Sequence, residues 1–291
     1  MAVIERTQQA AAPARAGADW ATRLFDLACI AVVTVLALVW IVPLAWAVDT
    51  SIKPEAATTV LPTTWFSATY TLDAYWQVLS GSAIAHWYVN SAITSALITV
   101  STVLFASMAG YALSRVPFRG RGVVLWVILA GIMVPGQILI VPLFLEVDAL
   151  HLVNTYWAVI LPQVATPIAV FIFKQFFDGI PRELEDAARI DGASWFRVYR
   201  SVWLPLARPA VSAVAIFAFV WSWNNFLWPL VTVTSTSMMT IPVGLGTVQG
   251  AYGIHYAEVM GSAVLGGLPL LLVFLLFQRQ IVAGIATTGL K

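Results

Sequence analysis

The chain has 291 residues, of which 60% are hydrophobic and only 10% are charged, with a net charge of +1. An ordinary soluble domain carries about 25% charged residues. This composition excludes a purely water-soluble protein and indicates that part of the surface faces lipid.

The N-terminal region combines a polar tail with a long apolar run. Residues 1–22 are rich in Ala, Arg, Gln and Pro, which predicts a flexible cytoplasmic tail before a membrane domain over 23–291. The apolar run could instead be a cleaved secretory signal, since Ala45-Trp46-Ala47 fits the small-x-small cleavage pattern. The run exceeds the ~7–15 residues of a signal core and further spans follow it, so a transmembrane helix is favoured.

Uncharged stretches long enough to cross a membrane recur along the chain. A helix needs about 20 mainly apolar residues to cross the hydrocarbon core. The sequence therefore predicts an all-α integral membrane protein with six transmembrane helices, near 25–48, 88–113, 123–145, 156–176, 207–231 and 262–284. Seven prolines near the middle of the spans are kinks or merely tolerated breaks: Pro43, Pro135, Pro142, Pro162, Pro167, Pro229 and Pro269.

The segment between the first two spans is too aromatic for a free linker. It contains Trp65, Phe66, Tyr70 and Trp76. We predict that it packs on the outer membrane face with a short helix near Leu72–Leu79. An interfacial aromatic belt and a direct functional contact both remain open.

The basic residues fall almost entirely on one side of the predicted membrane domain. If both termini share a side, that side receives every one of the 15 Lys and Arg residues except Lys53. Loops on the cytoplasmic side of a membrane protein carry an excess of Lys and Arg. We therefore predict a multi-pass protein of the bacterial inner membrane with both termini in the cytoplasm.

The loop 177–206, the longest predicted cytoplasmic loop, has the pattern of a helix–turn–helix. Pro181 suits the first turn of a helix, and the acids that follow would lie at the positive end of its dipole. Gly192 would end that helix in the left-handed conformation. A second helix would then run to Leu204-Pro205.

One face of the first helix in this loop carries small side chains. Leu184, Ala187, Ala188 and Asp191 recur at i, i+3, i+4 and i+7. Such a helix could seat in a groove on a soluble partner and transmit its motion to the spans. A surface amphipathic helix resting on lipid headgroups explains the pattern equally well.

The same loop resembles the EAA loop of ABC importer permeases. That pattern is Glu-Ala-Ala, three residues, Gly, nine residues, Ile, any residue, Leu-Pro. Here Asp186-Ala187-Ala188, Gly192 and Val202-Trp203-Leu204-Pro205 keep every spacing. Asp186 replaces the usual Glu, and Val202 replaces Ile.

The resemblance extends from about residue 25 onward to the carbohydrate-uptake group similar to maltose and glycerol-3-phosphate permeases. Asn225 stands where that group often has Glu. The motifs that carry the resemblance are Ser51-Ile52-Lys53-Pro54, Asn90-Ser91, Gly110-Tyr111-Ala112-Leu113-Ser114-Arg115, Trp223-Asn224-Asn225-Phe226 and Gly289-Leu290-Lys291.

The resemblance implies the ABC type I importer permease fold and a set of partners. These are a second permease subunit, an ATPase subunit dimer, an extracytoplasmic solute-binding protein, a sugar-type substrate and membrane lipid, with no nucleic acid. ATP and Mg would be bound by the ATPase, because this chain has no Walker-type phosphate loop; it is not expected to be an enzyme or to bind a cofactor. The implied ATPase-coupling residues are Glu183, Glu185, Asp186, Ala187, Ala188, Asp191, Gly192 and Ala193.

Candidate substrate contacts cluster in the fifth span. Sugars present hydroxyls and apolar C–H faces, which amides and aromatic rings can hold. The candidates are Trp221, Trp223, Asn224, Asn225 and Trp228, with Gln137 in the third span. Alternatively, the amides bond neighbouring helices and the tryptophans anchor the chain in lipid.

Other protein classes fit less well. An ion-coupled secondary transporter would be expected to carry ionisable residues within its spans and an inverted repeat. A membrane enzyme would need paired acids or a Ser–His couple in a span. The histidines His86, His151 and His255 are scattered, so no metal site is predicted.

Overall fold

The computed structural model describes residues 18–62, 64–81, 83–247 and 254–288, and every regular element within them is helical. Helix α1 (Ala18–Ser51) is long and apolar enough to cross a membrane by itself. Residues 18–22 are therefore helical and do not belong to the predicted tail, whose residues 1–17 lie outside the described part. Side chains of α1 are exposed along nearly its whole length, as for Trp40 at 78%. Such a helix is suited to lipid and not to water.

The aromatic segment after α1 forms ordered structure. It contains α2 (Glu55–Thr58) and α3 (Asp73–Gly81), which confirms the predicted short helix. Lys53 is buried, forms an ion pair with Asp49 and donates a hydrogen bond of 2.7 Å to the carbonyl of Thr64. The Lys53 ammonium thus fixes the segment to the end of α1.

Helix α4 (Ile84–Ser114) is the central element of the fold and can also cross a membrane by itself. Near its start, Trp87 is buried in one hydrophobic cluster. Near its end, Ala106 and Tyr111 are buried in another. A single long helix therefore joins the two hydrophobic clusters.

The predicted span 123–145 is wrong as one continuous helix. Helix α5 (Arg121–Met133) is followed by a 3₁₀ turn and then by α6 (Ile140–Ala149), and the two halves are bent by 93°. Proline disfavours the helical region for the residue before it, and Val134 before Pro135 is extended. Pro135 therefore marks a true break.

The fourth predicted span is also a bent pair, with α7 (Tyr156–Val164) and α8 (Pro167–Asp178) meeting at 43°. Helix α8 passes very close to α4 at Gly110. A Cβ atom on Gly110 would lie 2.7 Å from the Cβ of Phe173 and 2.9 Å from the backbone nitrogen of Lys174. Only glycine allows this approach of the two helices.

The loop predicted as a helix–turn–helix contains α9 (Glu183–Ile190) and α10 (Trp195–Val198). The second helix continues from α10 through a π-helical turn into α11 (Leu204–Leu206). It ends one residue beyond the predicted stop at Leu204-Pro205, and a bend of 79° separates it from α12 (Arg208–Trp223). The bend falls at Ala207, next to Pro209 at the start of α12.

The predicted span 207–231 is interrupted. Helix α12 ends at Trp223, and α13 (Leu227–Thr232) begins after a short break. Helix α14 (Ile241–Gly246) and the long α15 (Tyr256–Thr288) follow. Within the described residues, three single helices and three bent pairs give six spans if each pair counts as one.

The N-terminus of helix α15 is capped by Glu55, which lies far from it in the sequence. The Glu55 carboxylate accepts hydrogen bonds from the backbone N–H of Tyr256, at 2.7 Å, and of Ala257, at 3.0 Å. The first N–H groups of a helix lack intrahelical partners and attract negative charge. Glu55 therefore ties the segment after α1 to α15, and α15 in turn packs on α1.

Candidate functional site

The α9 helix and its turn form the first candidate site. Three acids lie in its first turn, and Gly192 after it has φ +78°. Ser194 caps the next helix by accepting a hydrogen bond from the N–H of Arg197 at 3.4 Å. The sequence therefore folds as predicted here, because each terminal residue suits its position.

The structure turns most of the predicted coupling residues outward. Those exposed are Glu183, Asp186, Ala187, Asp191 and Gly192. Ala188 and Ala193 are half-buried and pack against the hydrophobic cluster beneath the helix. The free surface of α9 thus carries carboxylates beside the exposed Arg182 and Arg189, and Leu184 and Ile190 add exposed apolar surface.

Glu185 differs from the other acids of α9 because its side chain is buried, at 7% exposure. Burial raises the pKa of its carboxyl, and the nearby positive charges of Arg115 and Arg189 partly oppose that rise. Its Oε2 atom is buried without a hydrogen-bond partner among the described residues. A direct contact between Glu185 and a soluble partner, as predicted, therefore has no support in this conformation.

A buried aromatic cluster supports α9 from below. Phe173, Phe177 and Trp203 are fully buried in it, and Tyr111 packs against Phe177 and Trp203. Large aromatic rings contribute most of the packing energy in such a core. The exposed helix α9 therefore packs on a buried aromatic cluster formed by α4, α8 and the π-helical turn.

The predicted substrate contacts do not form one site. Trp223 is buried at 4% exposure, and its Nε1 donates to the carbonyl of Gly266 at 3.3 Å. Trp228 is buried at 6% and donates to the carbonyl of Ala158 at 2.9 Å. The two indoles lie in different hydrophobic clusters, so neither N–H is free for a ligand.

The polar candidates also separate. Asn225 donates to the Oε1 atom of Gln163 at 2.6 Å and accepts from the N–H of Trp228 at 3.3 Å. Asn224 is exposed, and its amide donates to the carbonyl of Val220 at 2.9 Å. The helix–helix role of Asn225 agrees with the alternative interpretation of the asparagines.

Trp221 and Gln137 lie apart from the other candidates. Trp221 is 77% exposed on α12. Gln137 is exposed in the 3₁₀ turn between α5 and α6. Sequence reasoning missed Gln163, although a polar residue after Pro162 in an apolar span was a usable signal.

An open groove of about 250 Å³ lies beside the break after α12. Trp223 and Asn224 form one wall, and residues of α14 and α15 form the other, including Gly266 and Gly267. An indole edge, an exposed amide and the backbone of glycines can contact the C–H and hydroxyl groups that a sugar presents. The structure therefore brings two of the six predicted substrate contacts together.

Comparison with known proteins gives a consistent family. Residues 102–283 match the family described as binding-protein-dependent transport system inner membrane component. The chain is 42% identical to the arabinooligosaccharides transport system permease protein AraQ of Halalkalibacterium halodurans, over 77% of this chain and 81% of that protein. It is 36% identical to the sulfoquinovosyl glycerol transport system permease protein SmoH of Agrobacterium fabrum, over 86% and 88%.

A more distant relative and a solved structure agree. The trehalose/maltose transport system permease protein MalG of Thermococcus litoralis is 33% identical over 88% of this chain and 93% of its own length. A chain from the crystal structure of a bacterial ABC transporter involved in the import of the acidic polysaccharide alginate superposes with a TM-score of 0.77. It is 21% identical and covers 92% of this chain and 99% of its own, which establishes a shared fold.

Proposed function

Because the chain belongs to the family of binding-protein-dependent transport system inner membrane components, we propose that it is a permease subunit of an ABC importer for a sugar or sugar derivative. It forms half of the translocation pathway together with a second permease subunit. An extracytoplasmic solute-binding protein delivers the substrate. An ATPase subunit dimer binds ATP and Mg and supplies the energy.

The observation that carries this proposal is the exposed α9 helix on its buried aromatic base. Its free face presents Asp186, Ala187 and Asp191 to the surroundings. The small Ala187 side chain permits close approach of a groove, while the two carboxylates favour a basic partner. An ATPase subunit that grips α9 can therefore displace the helices beneath it.

The mechanism that follows is alternating access driven by a partner. Closure of the ATPase dimer on ATP draws the α9 helices of the two permeases together and opens the pathway outward. Hydrolysis returns the inward-open state. The chain contributes two packed states whose populations are shifted by the ATPase.

The orientation of the chain follows from its basic residues. Four basic residues lie in or near α9, namely Arg182, Arg189, Arg197 and Arg200. The segment between the first two spans has only Lys53. Cytoplasmic loops of membrane proteins carry an excess of Lys and Arg. The α9 segment and both termini are thus proposed to face the cytoplasm, where the ATPase is available.

The sugar class of the cargo is supported by the relatives. The three relatives are named for the transport of arabinooligosaccharides, of sulfoquinovosyl glycerol and of trehalose or maltose. All of these are glycosides, with hydroxyl groups and apolar C–H faces. We propose that the sugar contact of this subunit lies in the groove bordered by Trp223 and Asn224, since none of the other four predicted candidates lines it.

Co-purification tests the proposed function. The tagged chain is expressed with its chromosomal neighbours, extracted in mild detergent, and its companions are identified by mass spectrometry. We expect an ATPase subunit and a second permease to be recovered. Asp186→Lys should release the ATPase, because it reverses a charge on the exposed face of α9.

Asp73→Lys is the matched control, since Asp73 is likewise an exposed acid in the first turn of a short helix. This variant should retain the ATPase. Recovery of the wild-type chain alone, with uptake driven by an ion gradient, would contradict the proposal and favour a secondary transporter.

A further inference from the structure

Arg115 joins three segments at the end of the molecule that carries α9. It follows directly on the last residue of α4. Its guanidinium donates to the carbonyl of Phe177 and, at 2.5 Å, to the carbonyl of Ile180. The same guanidinium lies over the ring of Trp203, 4.3 Å from the ring centre.

These contacts suit an arginine chemically. Phe177 and Ile180 lie at and just beyond the end of α8, where the carbonyls of a helix lack a partner in a following helical turn and carry partial negative charge. A planar guanidinium can donate to two carbonyls and stack on an indole at the same time. Both bonds come from one nitrogen, Nη2, and the rest of the planar group stacks on the indole. A lysine ammonium can donate to carbonyls but has no planar group to stack on Trp203 at the same time.

The counter-charge for Arg115 comes from the underside of α9. Glu185 is buried there, and its interaction with Arg115 favours the charged form of both groups. No direct ion pair joins them among the described residues: Arg115 Nε and Glu185 Oε2 are both buried without a hydrogen-bond partner. The attraction therefore acts without direct contact between the end of α4 and α9.

The covalent route from α9 to the spans is less direct than this contact. Between α10 and α12 the chain passes through the π-helical turn Tyr199–Trp203 and the 79° bend at Ala207. Irregular turns of this kind are common at hinges. Motion of α9 would be absorbed in part at these two places.

Further hydrogen bonds connect α4 to the same region. The Ser107 and Tyr199 hydroxyls lie 2.7 Å apart, and the Tyr111 hydroxyl donates to the carbonyl of Trp195 at 3.3 Å. Ser114 donates to Asp178 at the end of α8, at 2.6 Å. These contacts follow one another along the last part of α4. Arg115 makes the last of them and is the charged residue among those that make them.

We propose that Arg115 is a positioning residue that makes the α9 segment move together with α4 and α8. Force from a partner on α9 then enters the centre of the membrane domain through α4, and not only along the chain into α12. This inference rests on the proposed function, because it assumes that an ATPase grips α9.

The test compares Arg115→Met and Arg115→Lys with the control Arg119→Met. Arg119 is an exposed basic residue in the same short loop. The full complex, with its ATPase and binding protein, is placed in lipid vesicles. Sugar transported and ATP hydrolysed are measured together, as molecules of sugar per ATP, along with the amount of assembled complex.

We expect both Arg115 variants to transport about 10-fold fewer sugar molecules per ATP, a loss of the size expected when one charge-assisted hydrogen-bond set is removed. The control should keep the wild-type ratio. Arg115→Lys should resemble Arg115→Met, because an ammonium cannot keep the planar contact with Trp203 while it donates to both carbonyls.

Three results would overturn the inference while leaving the proposed function intact. These are an unchanged ratio in Arg115→Met, a wild-type ratio in Arg115→Lys, or a proportional fall of transport and hydrolysis that follows the amount of complex. The last would mean that Arg115 serves only stability. Failure of the wild-type chain to recover any ATPase would instead refute the proposed function.

Discussion

Gly192 allows the turn after α9 to be tested without changing its contacts. Its φ of +78° lies in the left-handed region. A Cβ atom built there meets no described atom within 4 Å, apart from its own chain neighbours. The cost of Gly192→Ala is therefore a backbone cost alone, about 1–2 kcal/mol for a residue with a side chain in this region.

That cost sets the expected size of the effect. A change of one or two kcal/mol alters an equilibrium by a factor of about 5–30. Gly192→Ala should lower the equilibrium constant for forming the correct turn by about this factor and thereby reduce sugar uptake. Gly192→Asn should stay near the wild type, because asparagine tolerates the left-handed conformation.

The assay is ATP-dependent uptake into cells that lack the natural permease, normalised to the amount of permease in the membrane. Gly122→Ala is the control, because Gly122 also has open space but lies inside α5 without a left-handed φ. Wild-type uptake in Gly192→Ala, or equal damage from Gly192→Asn, would refute the argument from the turn.

Three further predictions concern packing, charge and capping. Gly110→Ala should cost about 1–3 kcal/mol by overpacking and lower the thermal midpoint of the purified complex, whereas Gly267→Ala, which meets no described atom within 4 Å, should not. The pKa of Glu185 is raised by burial, so its contribution to stability is fully present at low pH and is lost as pH rises through the folded-state pKa. Glu185→Gln should therefore raise the thermal midpoint relative to wild type more at about pH 8 than at about pH 4; an equal difference at both would contradict this. Glu55→Ala should cost about 1 kcal/mol by uncapping α15 and speed hydrogen exchange at the Tyr256 amide; unchanged exchange would show that the cap is dispensable.

The helical fold could be predicted because a membrane-spanning helix requires a long uncharged, apolar stretch, which is visible in the sequence. The long uncharged run around α4 and the periodic acids and alanines of α9 each determine local structure. The break after α5 was harder to predict, since Pro135 lies within an apolar stretch, as Pro43 and Pro269 do. Pro43 and Pro269 lie inside continuous helices, whereas Pro135 marks a bend of 93°.

The candidate sites were only partly predictable, because burial depends on distant neighbours. Glu185 and Asp186 are adjacent acids, yet only Glu185 turns toward α4 and is buried. Trp223 and Trp228 both find carbonyl partners inside the protein, on either side of a helix break. No local pattern distinguishes an indole that bonds a neighbouring helix from one that faces a substrate.

Reconstituted transport tests the central claim most directly. The purified permease pair, ATPase and binding protein are placed in lipid vesicles, and uptake of a labelled oligosaccharide is followed with and without ATP. We predict uptake that requires ATP and the binding protein and that is lost in Asp186→Lys but not in Asp73→Lys. Uptake by the permease without the ATPase, driven by an ion gradient, would contradict the account.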